Sequence, residues 1–171
     1  MTEFYDHHVK GNQIKSVSEL IPNSDVALAI GSSQERKKIY QSLSNNYNFP
    51  SLIHPSSLLM SSAEISIGKG AIICAGTILT THISIGDFVV LNLHCSIGHD
   101  CVLGNFVSLM PGARLSGGVT VEDDVFIGTN ASVLPGLRLG KGSTIGAGAV
   151  VTKNVPANTV VSGIPAKKMG T

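Results

Sequence analysis

Residues 67–151 read IGKGAI ICAGTI LTTHIS IGDFVV LNLHCS IGHDCV LGNFVS LMPGAR LSGGVT VEDDVF IGTNAS VLPGLR LGKGST IGAGAV V. Every sixth residue, from Ile67, Ile73, Leu79 and Ile85 through to Leu139, Ile145 and Val151, is Ile, Leu or Val, and no insertion breaks the series. Two residues ahead of these positions stand small or β-branched residues such as Ala71, Thr77, Val89, Cys95, Cys101, Val107 and Ala113. A period of six fits neither an α-helix nor a lone strand. It belongs to a chain that turns after every short strand and stacks on itself as a solenoid.

Hexapeptides of this pattern resemble those of left-handed parallel β-helix proteins, and the resemblance implies three hexapeptides per triangular coil. One coil is then 18 residues, with residues 18 apart stacked at about 4.8 Å, the spacing of paired strands. The expected fold is mainly β: a left-handed β-helix of about five coils over residues 51–171, with a small, truncated α/β part over residues 1–50. The column Gly68, Gly86, Gly104, Glu122 and Gly140 is mostly glycine, whereas the other two columns carry only Gly98, and Gly128 with Gly146. That asymmetry predicts one corner that takes positive φ more than its neighbours. Beyond the repeat, Pro156 and Pro165 stop the pattern, and residues 154–171 are expected to close the end.

Composition narrows the function classes. The net charge is +1 with both signs scattered, so there is no basic face for nucleic acid. No apolar run approaches the length of a membrane span and no signal peptide is legible, so a cytoplasmic protein is expected. Hydrophobic residues make up 43% and charged residues 13%, a balance that leaves apolar surface for a homo-oligomer to cover. Cys74, Cys95 and Cys101 form no CxxC pair, and two of them fall on inward positions, as reduced core thiols.

Ahead of the repeat, Thr2–Tyr5 reads as a short strand and Ser16-Val-Ser-Glu19 as a capping box that opens a short helix. Asp25–Ile30 reads as a buried strand, Gly31 as a turn, and Ser32-Ser-Gln-Glu35 as a second capping box whose helix runs to about Leu43.

Stacking by 18 also locates candidate chemistry. His99 and Asp100 fall under Gly117 and Gly118, which leave a gap in side chains, and above Thr81 and His82. The inward positions of that hexapeptide are Cys95, Ile97 and Cys101, so the imidazole and the carboxylate lie outside the core. A histidine beside a carboxylate has the makings of a general base; a solvated surface histidine is the plainer alternative.

The segments NLHCSIGHDCVLG (residues 92–104), MPGA (110–113), LSGG (115–118), IGTN (127–130), IGAGA (145–149) and GIPA (163–166) resemble the hexapeptide-repeat sugar acyltransferases. Within them the similarity is to bacterial sialic acid O-acetyltransferases and nucleotide-sugar N-acetyltransferases, and it runs over roughly residues 50–170. The resemblance implies transfer of an acetyl group from acetyl-CoA to a sugar or nucleotide sugar, in a homotrimer with CoA between subunits. It casts His99 as the base that takes a proton from the acceptor, Asp100 as its partner, and the Gly117 N–H as a donor to the thioester oxygen. Ser108, Thr129 and Ala147 take cofactor-lining positions, and Lys167 with Lys168 stand near CoA phosphates. Asp6 and the Gly31 turn are the expected acceptor contacts. Relatives open on a Gly-rich turn that begins a nucleotide-binding unit; no GxGxxG occurs here, and Thr2–Asp6 is similar to that unit's second strand. Residues 1–50 are therefore expected to be a partial Rossmann-like acceptor domain without its first strand and helix.

Two alternatives stand beside this expectation. His94 and His99 have the five-residue spacing of a histidine pair in γ-class carbonic anhydrases, but the position 36 residues before His94 is Leu58. A zinc site needs three protein ligands, so no metal is assigned. The other alternative is a non-catalytic trimeric scaffold.

Overall fold

The computed structural model describes residues 23–43 and 46–169. From Leu52 onward the chain winds into a three-sided parallel β-helix. Strands of two or three residues pair coil upon coil into sheets of eight, six and five strands, all parallel except Lys167–Lys168, which returns antiparallel along Val161–Ser162. Two-residue strands hold no structure alone; pairing with the coils on both sides holds each in place.

Through the repeat the register is 18 residues, as in Ser108 with Phe126, Arg114 with Ser132 and Thr120 with Arg138. The ends depart from it. Leu52 pairs with Ile72, twenty residues on, because a 3₁₀ turn at Ser62–Glu64 lengthens the first coil. Thr144 pairs with Val160, sixteen residues on, because the last coil is shorter. With these two irregular coils the solenoid has about six turns, one more than the periodic stretch alone predicts.

The inward ladder is the sixfold series together with the small residues two places ahead. Ile73, Leu79, Leu91, Ile97, Leu109, Ile127 and Ile145 are almost fully buried, and Val89, Cys95, Cys101, Ala113 and Ala131 fill the space between. Each large aliphatic residue contributes about 1.5–3 kcal/mol by leaving water. Burial also raises the Cys95 thiol to about 11, which leaves it an inert packing group.

The glycine column has a different cause from the one expected. Gly68, Gly86, Gly104 and Gly140 do not have positive φ; the left-handed positions at all three corners lie two residues later, as at His82, Phe88 and His94. A Cβ on Gly68 would meet the backbone of Gly86 at 2.5 Å, and one on Gly86 the backbone of Gly104 at 2.7 Å. Close approach between coils leaves no room for a side chain at Gly68 and Gly86.

Helix α1 (Ser33–Leu43) begins where the capping box places it, with the Glu35 N–H donating to Ser32 Oγ at 3.3 Å. The expected strand over Asp25–Ile30 is instead extended chain with one parallel bridge, Asp25 to Asn48, because only its first residue finds a pairing partner among the described residues. Val26 and Leu28 are nonetheless buried, together with Leu43, Phe49, Phe88 and Phe106. Phe88 and Phe106 stack at 5.2 Å on the corner between the five- and eight-stranded sheets, and Tyr40 of α1 lies against both. Arg36 fastens the helix. Its buried guanidinium donates to the carbonyls of Phe88 and Phe106 at 2.9 Å each, to Ser108 Oγ at 2.9 Å and to the Ile30 carbonyl. Loss of water pulls its pKa down to about 10, and the neighbouring Asp124 opposes the fall. The expected strand at Thr2–Tyr5, the helix at Ser16 and the contact at Asp6 lie outside the described residues.

Candidate active site

The corner between the six- and five-stranded sheets carries His99 and Asp100. Asp100 stands in the left-handed region at φ 59. Nδ1 of His99 lies 2.7 Å from Asp100 Oδ2, and both side chains are more than half exposed. A carboxylate only accepts, so the proton of a neutral ring sits on Nδ1 and Nε2 keeps its lone pair.

Nε2 is held over Gly117. A Cβ on that residue would fall 2.4 Å from Nε2 and 2.5 Å from Cε1, so the ring occupies the space a side chain at 117 would fill. The gap inferred from stacking is real, and the imidazole itself fills part of it.

The Gly117 N–H is also special. At the corner between the five- and eight-stranded sheets, the matching N–H of each coil is capped by the next: Lys69 by Asp87 Oδ1, Asp87 by Asn105 Oδ1, and Asn105 by Asp123 Oδ1, at 2.8–3.1 Å. Eighteen residues beyond Gly117 stands Pro135, which offers no side-chain acceptor. The amides of Ser116 and Gly118 donate to the carbonyls of Val133 and His99, while that of Gly117 has no acceptor among the described residues. A lone pair on a ring nitrogen thus lies beside an unused backbone donor, an arrangement suited to deprotonating a nucleophile while steadying an oxyanion.

The other expected site residues are distributed around the solenoid. Thr129 and Ala147 are exposed and stacked at the corner between the eight- and six-stranded sheets, where the Gly148 N–H donates to the Thr129 carbonyl at 2.8 Å. Lys167 and Lys168 are exposed on the closing strand. Ser108 is fully buried behind α1; its hydroxyl donates to the Gly31 carbonyl at 2.9 Å and accepts from Arg36, so it faces the N-terminal segment. Gly31 sits beside Met110, also at the corner between the eight- and six-stranded sheets. Within one chain, therefore, Gly31, Thr129 and Ala147 belong to one corner and His99 to the next.

His94 and His99 do not converge. The His94 ring packs on Gly76, at the corner that carries Thr129, whereas His99 packs on Gly117. Among the described residues no group of three or more His, Cys, Asp or Glu is placed to hold a metal. No helix among them is long and apolar enough to cross a membrane.

One residue escaped the stacking of sequence positions. Glu64 Oε1 lies 3.4 Å from His82 Nε2, and His82 Nδ1 lies 3.9 Å from Asp100 Oδ1. Glu64 stands 18 residues before His82, so the same spacing that stacks His82 under Asp100 places Glu64 one coil below.

Residues 65–81 and 118–153 match the family model described as the hexapeptide repeat of succinyl-transferase. GDP-perosamine N-acetyltransferase of Escherichia coli O157:H7 is 37% identical over 80% of this chain and 53% of its own length, so the chain spans about half the length of that relative. Among solved structures, PerB of Caulobacter crescentus, in complex with CoA and GDP-perosamine, superposes with a TM-score of 0.83 at 33% identity, covering 86% of this chain and 70% of that one. The acetyltransferase domain of PglB from Neisseria gonorrhoeae gives a TM-score of 0.88 at 30% identity, over 97% of this chain and 85% of that one. That domain has also been solved in complex with acetyl coenzyme A.

Proposed function

We propose that this chain, which belongs to the hexapeptide-repeat sugar acyltransferases, moves an acetyl group from acetyl-CoA to an amino or hydroxyl group of a sugar or nucleotide sugar. The observation that carries the proposal is the His99 imidazole, tied to Asp100 at 2.7 Å and packed against Gly117, whose N–H has no acceptor among the described residues. Relatives solved with CoA and GDP-perosamine, or with acetyl coenzyme A, support the choice of donor and acceptor class.

In this mechanism the acceptor nitrogen or oxygen attacks the thioester carbonyl while Nε2 of His99 takes its proton. A new bond to carbon forms, and the carbonyl oxygen gains negative charge in reach of the Gly117 N–H. The oxyanion then collapses, the C–S bond breaks, and the proton on His99 passes to the departing CoA sulfur. Asp100 holds the ring in the productive tautomer and stabilises the transient imidazolium; it takes no proton itself. A positioned base of this kind contributes about 10²–10⁴ in rate.

The working unit is a cytoplasmic homotrimer. Gly31, Thr129 and Ala147 share one corner and His99 occupies the next, so a neighbouring subunit that presents the first corner to the second completes the site. CoA then runs between subunits along Thr129 and Ala147 toward Lys167, with the sugar at the Gly31 turn and Asp6. Residues 1–50 serve as the acceptor domain. Free rather than paired cysteines suit a reducing compartment.

Replacing His99 by alanine is expected to remove most of kcat while acetyl-CoA affinity stays near normal. A screen of amino-sugar nucleotides and sialic acids for CoA release identifies the acceptor. Unchanged turnover in the His99 variant would remove that residue from the mechanism.

A further inference from the structure

Glu64, His82 and Asp100 hold the same place in three successive coils. The register shows this directly: Ile65 pairs with Ile83 and Ser84 with Val102, so each of the three stands one residue before an inward position. The column reads acid, base, acid, and ends on Gly118. His82, at φ 52, lies between the two carboxylates, 3.4 Å from Glu64 and 3.9 Å from Asp100. Thr81 Oγ1 stands 3.3 Å from the His82 Nδ1 and donates its own hydrogen to Glu64. That hydrogen bond first, and His82 second, hold the Glu64 carboxyl below the ordinary glutamate range.

Resting on the proposed role of His99, we infer that His82 is a positioning residue, whose charge shares the Asp100 carboxylate with His99 and so sets how far into acid the base stays free. Asp100 offers Oδ2 to His99 and Oδ1 to His82. A positive charge on His82 offsets the pull of Asp100 on a proton at His99 and repels that proton directly. Among the described residues the groups facing His82 are Glu64 from the 3₁₀ turn below, Thr81 on its own coil, and Asp100 above; Gly117 and Gly118 bring no side chain from the next coil. Asp100 thus stands between His82 and His99 and transmits the effect of a charge on His82. His82 takes no proton from either substrate, so the balance of the transfer step is unchanged.

The test is the pH profile of kcat/KM on the full chain with acetyl-CoA and an accepted sugar, read for three proteins at low salt and in 1 M salt. His82→Asn is neutral and at home in left-handed backbone, and His82→Lys stays charged throughout. Two unit charges about 6 Å apart in a water-rich setting interact by the equivalent of about half a pH unit. The acid limb of His82→Asn is therefore expected to move up by about that amount at low salt and to rejoin the wild type in 1 M salt, where the screening length is about 3 Å. His82→Lys is expected to stay at or below the wild-type limb, and both variants to keep plateau kcat within about twofold. Coincident limbs for the three proteins, a shift that persists in 1 M salt, or equal shifts for Asn and Lys would overturn the inference. His82→Gln replaces the asparagine variant if thermal melting shows that the latter does not fold. His99→Ala, run alongside, separates two failures: an inactive His99 variant with unshifted limbs sinks only the role of His82, whereas an active one sinks the base itself.

Discussion

Gly117→Ala isolates the site from the fold. The added Cβ would stand 2.4 Å from His99 Nε2, 2.5 Å from Cε1 and 2.9 Å from Cδ2. Non-bonded contact between such atoms is comfortable at about 3.5–4.0 Å, so the ring must withdraw by roughly 1 Å or more. Nothing prevents it, because the imidazole is mostly exposed and its hydrogen-bonding partner is Asp100 on the same turn. The backbone at 117 is not in the left-handed region, so alanine fits without strain and lowers the entropy of the unfolded chain by the equivalent of about 0.4–1 kcal/mol. Stability should thus stay within about 1 kcal/mol of the parent.

Activity should not. A displacement of about 1 Å at a reacting group can cost about 10²-fold, equivalent to roughly 2.7 kcal/mol of barrier. The assay is CoA thiol release at saturating acetyl-CoA and acceptor, with acetyl-CoA binding and thermal melting measured in parallel. Gly118→Ala is the neighbouring control. Its φ of +70 makes alanine cost about 1–2 kcal/mol of stability, but the nearest atom to a new Cβ there is Gly136 Cα at 3.7 Å, so the ring is left alone. The expected result is a stable, inactive 117 variant beside a less stable 118 variant that still turns over. A Gly117→Ala protein with kcat within twofold of the parent would refute the placement of the imidazole.

Three further outcomes follow from the packing. Arg36→Met strips hydrogen bonds from the buried carbonyls of Phe88 and Phe106 and should cost about 2–4 kcal/mol, seen as a lower denaturation midpoint; a loss under 0.5 kcal/mol would contradict the helix anchor. Ser143 is fully buried on the inward column of Val89, Val107 and Val125, and its hydroxyl has no partner among the described residues, so Ser143→Ala should gain about 1 kcal/mol and raise Tm by about 2–4 °C. Glu122 is held below the usual glutamate range by the Lys141 N–H and then by Arg138. Because its folded value is depressed, its contribution is present above the ordinary glutamate range and lost as pH falls through the folded value. Glu122→Gln should therefore melt below the parent at pH 7 and alongside it in strong acid.

How far the fold is legible depends on where the register is 18. From Ile65 to Leu139 it holds without exception, so subtraction alone places His99 beneath Gly117 and Asp100 above His82. In the first coil the same rule fails. It would set Cys74 on Ser56, yet pairing of Leu52 with Ile72 puts His54 there, since Ser62–Glu64 lengthens the coil by a 3₁₀ turn with no signal in the hexapeptide pattern. The glycine column illustrates a different limit. Glycine is demanded equally by positive φ and by close approach of another backbone, and one sequence does not separate the two; the distance from Gly68 to the Gly86 backbone does.

The site was readable in part for a related reason. A solenoid converts sequence offset into contact, so residues on neighbouring coils of the same corner, such as His99 and Gly117, announce themselves. Contacts made by the aperiodic front do not. Ser108 occupies an outward position of the eight-stranded sheet and therefore reads as available to a ligand, but Arg36 and the Gly31 carbonyl consume its hydroxyl, and no periodicity relates residue 36 to residue 108. The same helix leaves the corner with His99 untouched while it covers the sheet one side away. Because α1 reaches from Phe106 to the Gly31 turn beside Met110, Gly31 and the His99–Asp100 pair of one chain stand at different corners. If the sugar sits at Gly31 of one subunit and His99 of its neighbour is the base, as proposed, disrupting assembly should abolish transfer even where His99, Asp100 and Gly117 keep their geometry.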